Sequence, residues 1–213
     1  MIEMDEQTKA QIKQMFNNLE NPVRLVFFSG ENCQFCGQIK EILQIIKDLG
    51  GEKIILEEHD FDKEKDLANA LGVDKYPATV IKSGKKMVYF YGLMSGYEFG
   101  TFIEDIMDLS KGDTELDEEA ISKLEKIDRE IRIMVFVTPT CPYCPRMVRL
   151  AHKFAIINPK IKAEMIEAME FPDLSNKYAV SGVPKTIIDD KEALVGAVPE
   201  QMFLEKLVAV ASR

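Results

Sequence analysis

The stretch Arg132-Ile133-Met134-Val135-Phe136, followed at once by Val137-Thr138-Pro139-Thr140 and then Cys141-Pro142-Tyr143-Cys144-Pro145, decides the fold. A short apolar run of strand-forming residues leads into two cysteines with two residues between them. Behind them Met147, Val148, Ala151, Phe154 and Ala155 recur at helical spacing until Asn158-Pro159 closes the run. The cysteines therefore sit at a strand-to-helix junction.

The same arrangement occurs earlier in the chain. Arg24-Leu25-Val26-Phe27-Phe28 precedes Cys33-Gln34-Phe35-Cys36, and Ile39, Ile42, Leu43, Ile46 and Leu49 mark a helix ending at Gly50-Gly51. Outward from each junction the order stays matched. A second strand (53–57; 162–167) and a short helix (65–71; 174–178) come next. Tyr76-Pro77-Ala78-Thr79 or Val183-Pro184-Lys185-Thr186 follows, then a hairpin turning at Ser83-Gly84 or Asp189-Asp190, then a last helix (97–109; 200–211). A helix carrying Ile12, Met15, Phe16 and Leu19 precedes the first repeat, and one carrying Ile121, Leu124 and Ile127 precedes the second. The fold class is α/β: two tandem units, each β-α-β-α-β-β-α with a central mixed sheet flanked by helices. The polar segment 111–115 divides them near Gly112, giving units 1–112 and 113–213.

Composition narrows the function. With 46% hydrophobic and 30% charged residues the chain has material for a core and no signature of disorder. A net charge of -9 argues against nucleic acid or an anionic membrane surface as partner. No apolar run is long enough to span a bilayer, and the acidic start Met1-Ile2-Glu3-Met4-Asp5-Glu6 lacks the basic region of a secretory leader. The expectation is a cytoplasmic protein. In that compartment paired cysteines point to metal or redox chemistry rather than a static disulfide framework, hyperthermophiles excepted.

Zinc is the competing use of four thiolates. The two pairs lie half the chain apart, far beyond the about 15 to 20 residues usual in such sites, and each opens its own unit, so no metal is expected. A cysteine protease needs a histidine beside its nucleophile. The two histidines are His59 and His152; His152 lies well down the helix that follows Cys141, and both are read as surface or packing residues.

A cysteine facing the unpaired N–H groups at a helix start is favoured as thiolate. Cys33 and Cys141 are expected to attack, and Cys36 and Cys144 to resolve the mixed disulfide. Pro77 and Pro184 lie at nearly equal distances beyond their cysteine pairs, which marks them as candidate cis prolines. Tyr76 and Val183 would then present free backbone to an extended substrate.

These residues resemble the thioredoxin superfamily. The duplication, the two Cys-x-x-Cys pairs and the two proline segments are most similar to the tandem protein disulfide oxidoreductases of hyperthermophilic archaea and bacteria, and Cys-Pro-Tyr-Cys resembles glutaredoxin. The resemblance implies an enzyme that forms, reduces or isomerises disulfides in protein substrates. It implies no bound cofactor beyond redox-active disulfides, and a thioredoxin-reductase-like reductase as partner. An alternative is an electron carrier between a reductase and a peroxidase-type partner. The tandem module of peroxide-reducing flavoenzymes is also similar, but keeps cysteines in one unit only. Where thioredoxins bury an acid before the first cysteine, this chain has Phe27 and Val135. Asp60 and Glu167, at matching distances before the prolines, are candidate replacements, with solvated strand-end carboxylates as the alternative. The glutaredoxin pattern, with Arg146 and Arg149 after Cys144 against Lys40 and Glu41 after Cys36, makes the second pair the expected stronger oxidant and more active site.

Overall fold

In a computed structural model of the chain, residues 4–212 are described. The first repeat runs α1 (Glu6–Phe16), β1 (Val23–Ser29), α2 (Cys36–Gly50), β2 (Ile54–Asp60), α3 (Lys65–Ala70), β3 (Ala78–Ser83), β4 (Lys86–Tyr91) and α4 (Tyr97–Lys111). The second runs α5 (Glu118–Glu125), β5 (Ile131–Val137), α6 (Cys144–Ile157), β6 (Ile161–Glu167), α7 (Pro172–Lys177), β7 (Lys185–Ile188), β8 (Glu192–Val195) and α8 (Glu200–Ala211). Both leading helices start the same way. Asp5 accepts from Thr8 N–H at 2.8 Å and Asp117 from Ala120 N–H at 2.7 Å, each satisfying an orphan donor of the first turn. Leu19, read as part of the first helical stripe, lies beyond α1 but is still buried in the same core.

The α/β class stands, with one addition. The two four-stranded sheets join edge to edge into a single eight-stranded sheet of order β2-β1-β3-β4-β6-β5-β7-β8. The seam is the parallel pairing of β4 with β6, Tyr89 to Glu164, Phe90 to Met165 and Tyr91 to Ile166. An exposed sheet edge is an aggregation template, and this pairing covers one edge from each repeat. Glu164 is fully buried at the seam. Arg132 and Lys162 neutralise it at 2.8 and 2.6 Å, with Lys75 of the first repeat at 3.6 Å.

The pairings fix where the sites fall. β1 is parallel to β2 and antiparallel to β3, β3 is antiparallel to β4, and β4, β5 and β6 are mutually parallel. The carboxyl ends of β1, β4, β5 and β6 therefore share one edge, where α/β sheets place their ligands. α1, α2, α4, α5, α6 and α8 cover one face through a core that includes Phe27, Ile39, Phe102, Val135, Phe154 and Phe203. The shorter α3 and α7 cover the other face over Phe28, Tyr91 and Phe136.

Candidate active site

Both cysteine pairs are disulfides, each with Cα atoms 5.5 Å apart. α2 and α6 begin at the second cysteine of each pair, so Cys33 and Cys141 lie in the loop just ahead of the helix, facing its N-terminus. β1 and β5 are four strand spacings apart, which puts the two sites on the order of 20 Å from each other along the edge. Cys33 is half-buried and Cys36 is buried, whereas Cys141 is 8% exposed and Cys144 fully enclosed.

The Tyr76–Pro77 and Val183–Pro184 bonds are both cis. β3 starts at Ala78 and β7 at Lys185, so Tyr76 and Val183 lie just outside the ladders. Tyr76 is held by its side chain. Its hydroxyl donates to the Glu31 carbonyl at 3.2 Å, and its ring rests on Gly30, where a Cβ would overlap the ring carbons. Glycine at 30 is thus a packing requirement of the loop before Cys33. The matching positions of the second repeat carry Thr138 and Val183.

The two candidate acids differ. Asp60 accepts from the N–H groups of Asp62 and Lys63 at 3.1 and 3.0 Å and pairs with Lys63 Nζ at 2.9 Å. These hydrogen bonds, the Lys63 ammonium first, hold its carboxyl below the usual range, as in a turn-closing surface carboxylate. Glu167 is 3% exposed. One oxygen accepts from Glu170 N–H at 2.7 Å while Oε1 has no partner among the described residues, and desolvation raises its carboxyl above the ordinary value. Although Glu167 belongs to the second repeat, it lines a cleft of about 960 Å³ together with Cys33, Tyr76, Pro77 and Pro139. Glu170 lines the same cleft, accepts from Leu93 N–H at 2.6 Å, and is pushed up to about 7 by burial. The close approach requires glycine at 92 (φ 96°), where a Cβ would lie 2.7 Å from Glu167 Cβ.

A carboxylate that the sequence did not single out lies on α4, which packs against α6. Tyr97 N–H donates to the Pro139 carbonyl at 3.3 Å, and a Cβ on Gly96 would meet the same oxygen, so α4 begins against the loop leading to Cys141. Two turns on, Asp105 pairs with Arg149 and with His152, the latter at 2.5 Å. α4 and α6 therefore run side by side in the same direction, and Glu98 comes level with the first turn of α6, where Cys144 sits. Glu98 is 2% exposed, and neither carboxylate oxygen has a hydrogen-bond partner among the described residues. Burial pushes its carboxyl up to about 7. Thr101, one turn on, opposes this without making a well-formed hydrogen bond.

Arg149, counted from the sequence as electrostatic help for the second pair, is committed elsewhere. It pairs with Glu104 at 2.9 Å, Asp108 at 2.6 Å and Asp105, which offsets its charge. Arg146 is exposed. His152 is buried against Asp105 and Phe90, a packing role. Among the described residues, no group of three or more His, Cys, Asp or Glu side chains comes together that could hold a metal ion.

This fold, with a disulfide at each of two strand-to-helix junctions, defines a thioredoxin-fold redox protein. Residues 3–105 match the family described as thioredoxin, and residues 131–209 match the family described as thioredoxin domain. The chain carries two thioredoxin domains in tandem. Among solved structures it is similar to a protein disulfide oxidoreductase from Aeropyrum pernix K1, with 27% identity, a TM-score of 0.91, and coverage of 100% of this chain and 95% of that one. A structure of the alkylhydroperoxide reductase AhpF from Enterococcus faecalis shares the fold at 24% identity and TM-score 0.88, covering 96% of this chain and 99% of that one. Curated relatives include an NADH dehydrogenase of Bacillus subtilis, 23% identical over 97% of this chain. An alkyl hydroperoxide reductase of the AhpF type from Staphylococcus aureus is 24% identical over 95%. The chain spans 37% of the length of each. No helix among the described residues is long and apolar enough to cross a membrane.

Proposed function

We propose that this protein is a cytoplasmic enzyme that forms, reduces or isomerises disulfides in protein substrates by dithiol–disulfide exchange at both cysteine pairs, with the units dividing at Gly112. The observation that carries this is the presence of two intact disulfides on one sheet edge, each near a cis-proline segment. In the reductive direction the thiolate of Cys33 or Cys141 attacks a substrate sulfur, the substrate disulfide breaks, and one substrate thiolate leaves. Cys36 or Cys144 then attacks the mixed disulfide, closing the enzyme disulfide and releasing the second substrate thiolate. The reverse sequence oxidises a substrate dithiol. Tyr76 with Pro77, and Val183 with Pro184, flank the extended substrate. At the second pair Glu98 takes the proton from the resolving Cys144 thiol, a task suited to a carboxyl titrating near neutrality. Reducing equivalents come from a thioredoxin-reductase-like protein, with no bound cofactor.

A second reading is a dedicated carrier between a reductase and a peroxidase-type partner. What favours it is that this chain aligns with about a third of the length of an alkyl hydroperoxide reductase. Freshly reduced protein is expected to reduce protein disulfides with dithiothreitol as electron donor and to reactivate a scrambled disulfide protein. Absence of both activities overturns the enzyme reading. Rapid reduction of a peroxidase disulfide without either activity establishes the carrier.

A further inference from the structure

The cleft beside Cys33 is built by both repeats. The first supplies the disulfide, Tyr76 and Pro77, and the second supplies Glu167 and Glu170 from the loop after β6. Its volume of about 960 Å³ is at the upper end for a small-molecule cleft and leaves room for a short extended segment. Phe35, Leu93 and Phe171 give it an apolar lining, and Glu31 stands at its exposed rim. No Lys or Arg is found among the described residues that line it.

Two of the other buried carboxylates at the junction of the repeats have cations. Glu164 has Arg132 and Lys162, and Asp105 has Arg149. Ionised carboxyls removed from water are costly unless neutralised in this way. Glu167 and Glu170, like Glu98 beside α6, have no ion pair with any described residue, and Glu167 Oε1 has no hydrogen-bond partner either; unlike Glu98, both line the cleft. These two unneutralised carboxyls line a groove that also contains a redox-active sulfur.

We propose that this cleft receives an extended protein segment with Lys or Arg beside its reactive cysteine, whose cation is neutralised by Glu167 and Glu170 while its sulfur exchanges with Cys33. The inference rests on the exchange activity proposed above and adds a substrate class: basic-flanked cysteines, with acidic-flanked cysteines and anionic small thiols disfavoured. The specificity of the first pair is set by the second repeat.

The test uses full-length Cys36→Ser/Cys141→Ser/Cys144→Ser, which leaves Cys33 as the only thiol. Two otherwise identical peptides, Lys-Cys-Lys and Glu-Cys-Glu at their centres, are presented as mixed disulfides with 2-nitro-5-thiobenzoate. Cys33 thiolate attacks the peptide sulfur, a Cys33–peptide disulfide forms, the original S–S bond breaks, and the coloured aryl thiolate leaves with the electron pair. Each rate is divided by the same peptide's rate with 2-mercaptoethanol, which removes intrinsic reactivity. A preference of about tenfold for the basic peptide is expected, falling to about twofold or less in Glu167→Gln/Glu170→Gln. Glu118→Gln/Glu119→Gln, which removes the same charge from exposed positions on α5, is expected to keep the preference. Glu170→Gln alone, which retains an oxygen for Leu93 N–H, and the rim variant Glu31→Gln are milder forms expected to lower it partly. Equal normalised rates in the parent, or a preference unchanged by the cleft variants or lost equally in the α5 control, overturns the inference and leaves the exchange activity standing. No reaction with either peptide overturns both.

Discussion

The two cysteine pairs occupy equivalent places in a repeat and end in different surroundings. The first lies at the mouth of a broad cleft, its Tyr76 ring packed on Gly30, with carboxyls from the other repeat across the gap. The second is more enclosed, and a buried carboxyl from the other repeat, Glu98, lies level with it. The first has the geometry of selection and the second the geometry of proton transfer. Each borrows its distinguishing group across the β4–β6 seam, so the sheet junction is part of the chemistry as well as of the fold.

The largest test of this division compares Cys33→Ser/Cys36→Ser with Cys141→Ser/Cys144→Ser. Loss of the second pair is expected to lower dithiothreitol-driven reduction of a protein disulfide by about tenfold or more, below the about hundredfold at which the contribution of a positioned acid–base group starts, because the first pair remains. Loss of the first is expected to cost about threefold or less. The expectation of a dominant second pair stands on the glutaredoxin-like Cys-Pro-Tyr-Cys and on Glu98, since the Arg149 charge is consumed by Glu104, Asp105 and Asp108. Equal losses would break the comparison.

Glu98→Gln sharpens it with two signs that point in opposite directions. Resolution of a mixed disulfide by Cys144 is expected to slow by about tenfold, visible in stopped-flow at pH 7. Stability is expected to rise. A carboxyl raised from 4.5 to about 7 in the folded protein holds its proton longer there than in the unfolded chain. Its contribution is therefore neutral below the unfolded value, becomes a penalty as pH rises from about 4.5 to about 7, and levels off above. Removing it stabilises the oxidised protein by about 3 kcal/mol at pH 8 and little near pH 4, measured by urea unfolding. A residue that only filled space would move stability without moving the resolution rate.

The repeat was legible because strand, cysteine pair, helix and proline segment recur in the same order, and each carries its own local signal: apolar runs, helical periodicity, Gly50-Gly51 and Asn158-Pro159 as stops. The seam was not legible. Lys86-Met87-Val88-Tyr89-Phe90-Tyr91 reads as the second strand of a hairpin, and nothing local says that its far side pairs with β6. Glu98 was missed for the same reason. An acid in the first turn of a helix is ordinary on dipole grounds alone, and only the packing of α4 against the other repeat's α6 buries it. Glu167 was found by its distance from Pro184, but its cleft belongs to Cys33, because β6 adjoins β4 as well as β5.

Gly30→Ala asks whether the first site's shape is separable from the second's chemistry. The new methyl group would overlap the Tyr76 ring, which is half-buried and anchored at one end by its hydroxyl. The ring must shift, at a cost of about 1 to 2 kcal/mol in stability. Rates at Cys33 are expected to fall about threefold to fivefold while those at Cys141 stay within twofold, each measured in a protein retaining only that pair. A matching loss at Cys141 would mean that the two sites are mechanically coupled through the sheet.

Asp60→Asn carries the smallest expected effect and bears directly on the asymmetry. Asp60 and Glu167 are equivalent by position, each at the carboxyl end of the second strand of its repeat, but Asp60 faces the turn that follows β2 and is occupied there by two backbone N–H groups and Lys63. Those partners stabilise the ionised form and hold its carboxyl below the ordinary value, so it stays charged in the range where thiols exchange and is a weak base for the proton of the resolving thiol. Asparagine keeps an oxygen for the turn and loses the lysine's countercharge. Resolution of a mixed disulfide by Cys36 is therefore expected to stay within about twofold of the parent from about pH 6 to about pH 9, the range that brackets an ordinary thiol value of about 8.5. A pH-dependent slowing at Cys36 alone would give the first pair an acid of its own and remove the chemical difference between the sites, leaving only the difference in their access.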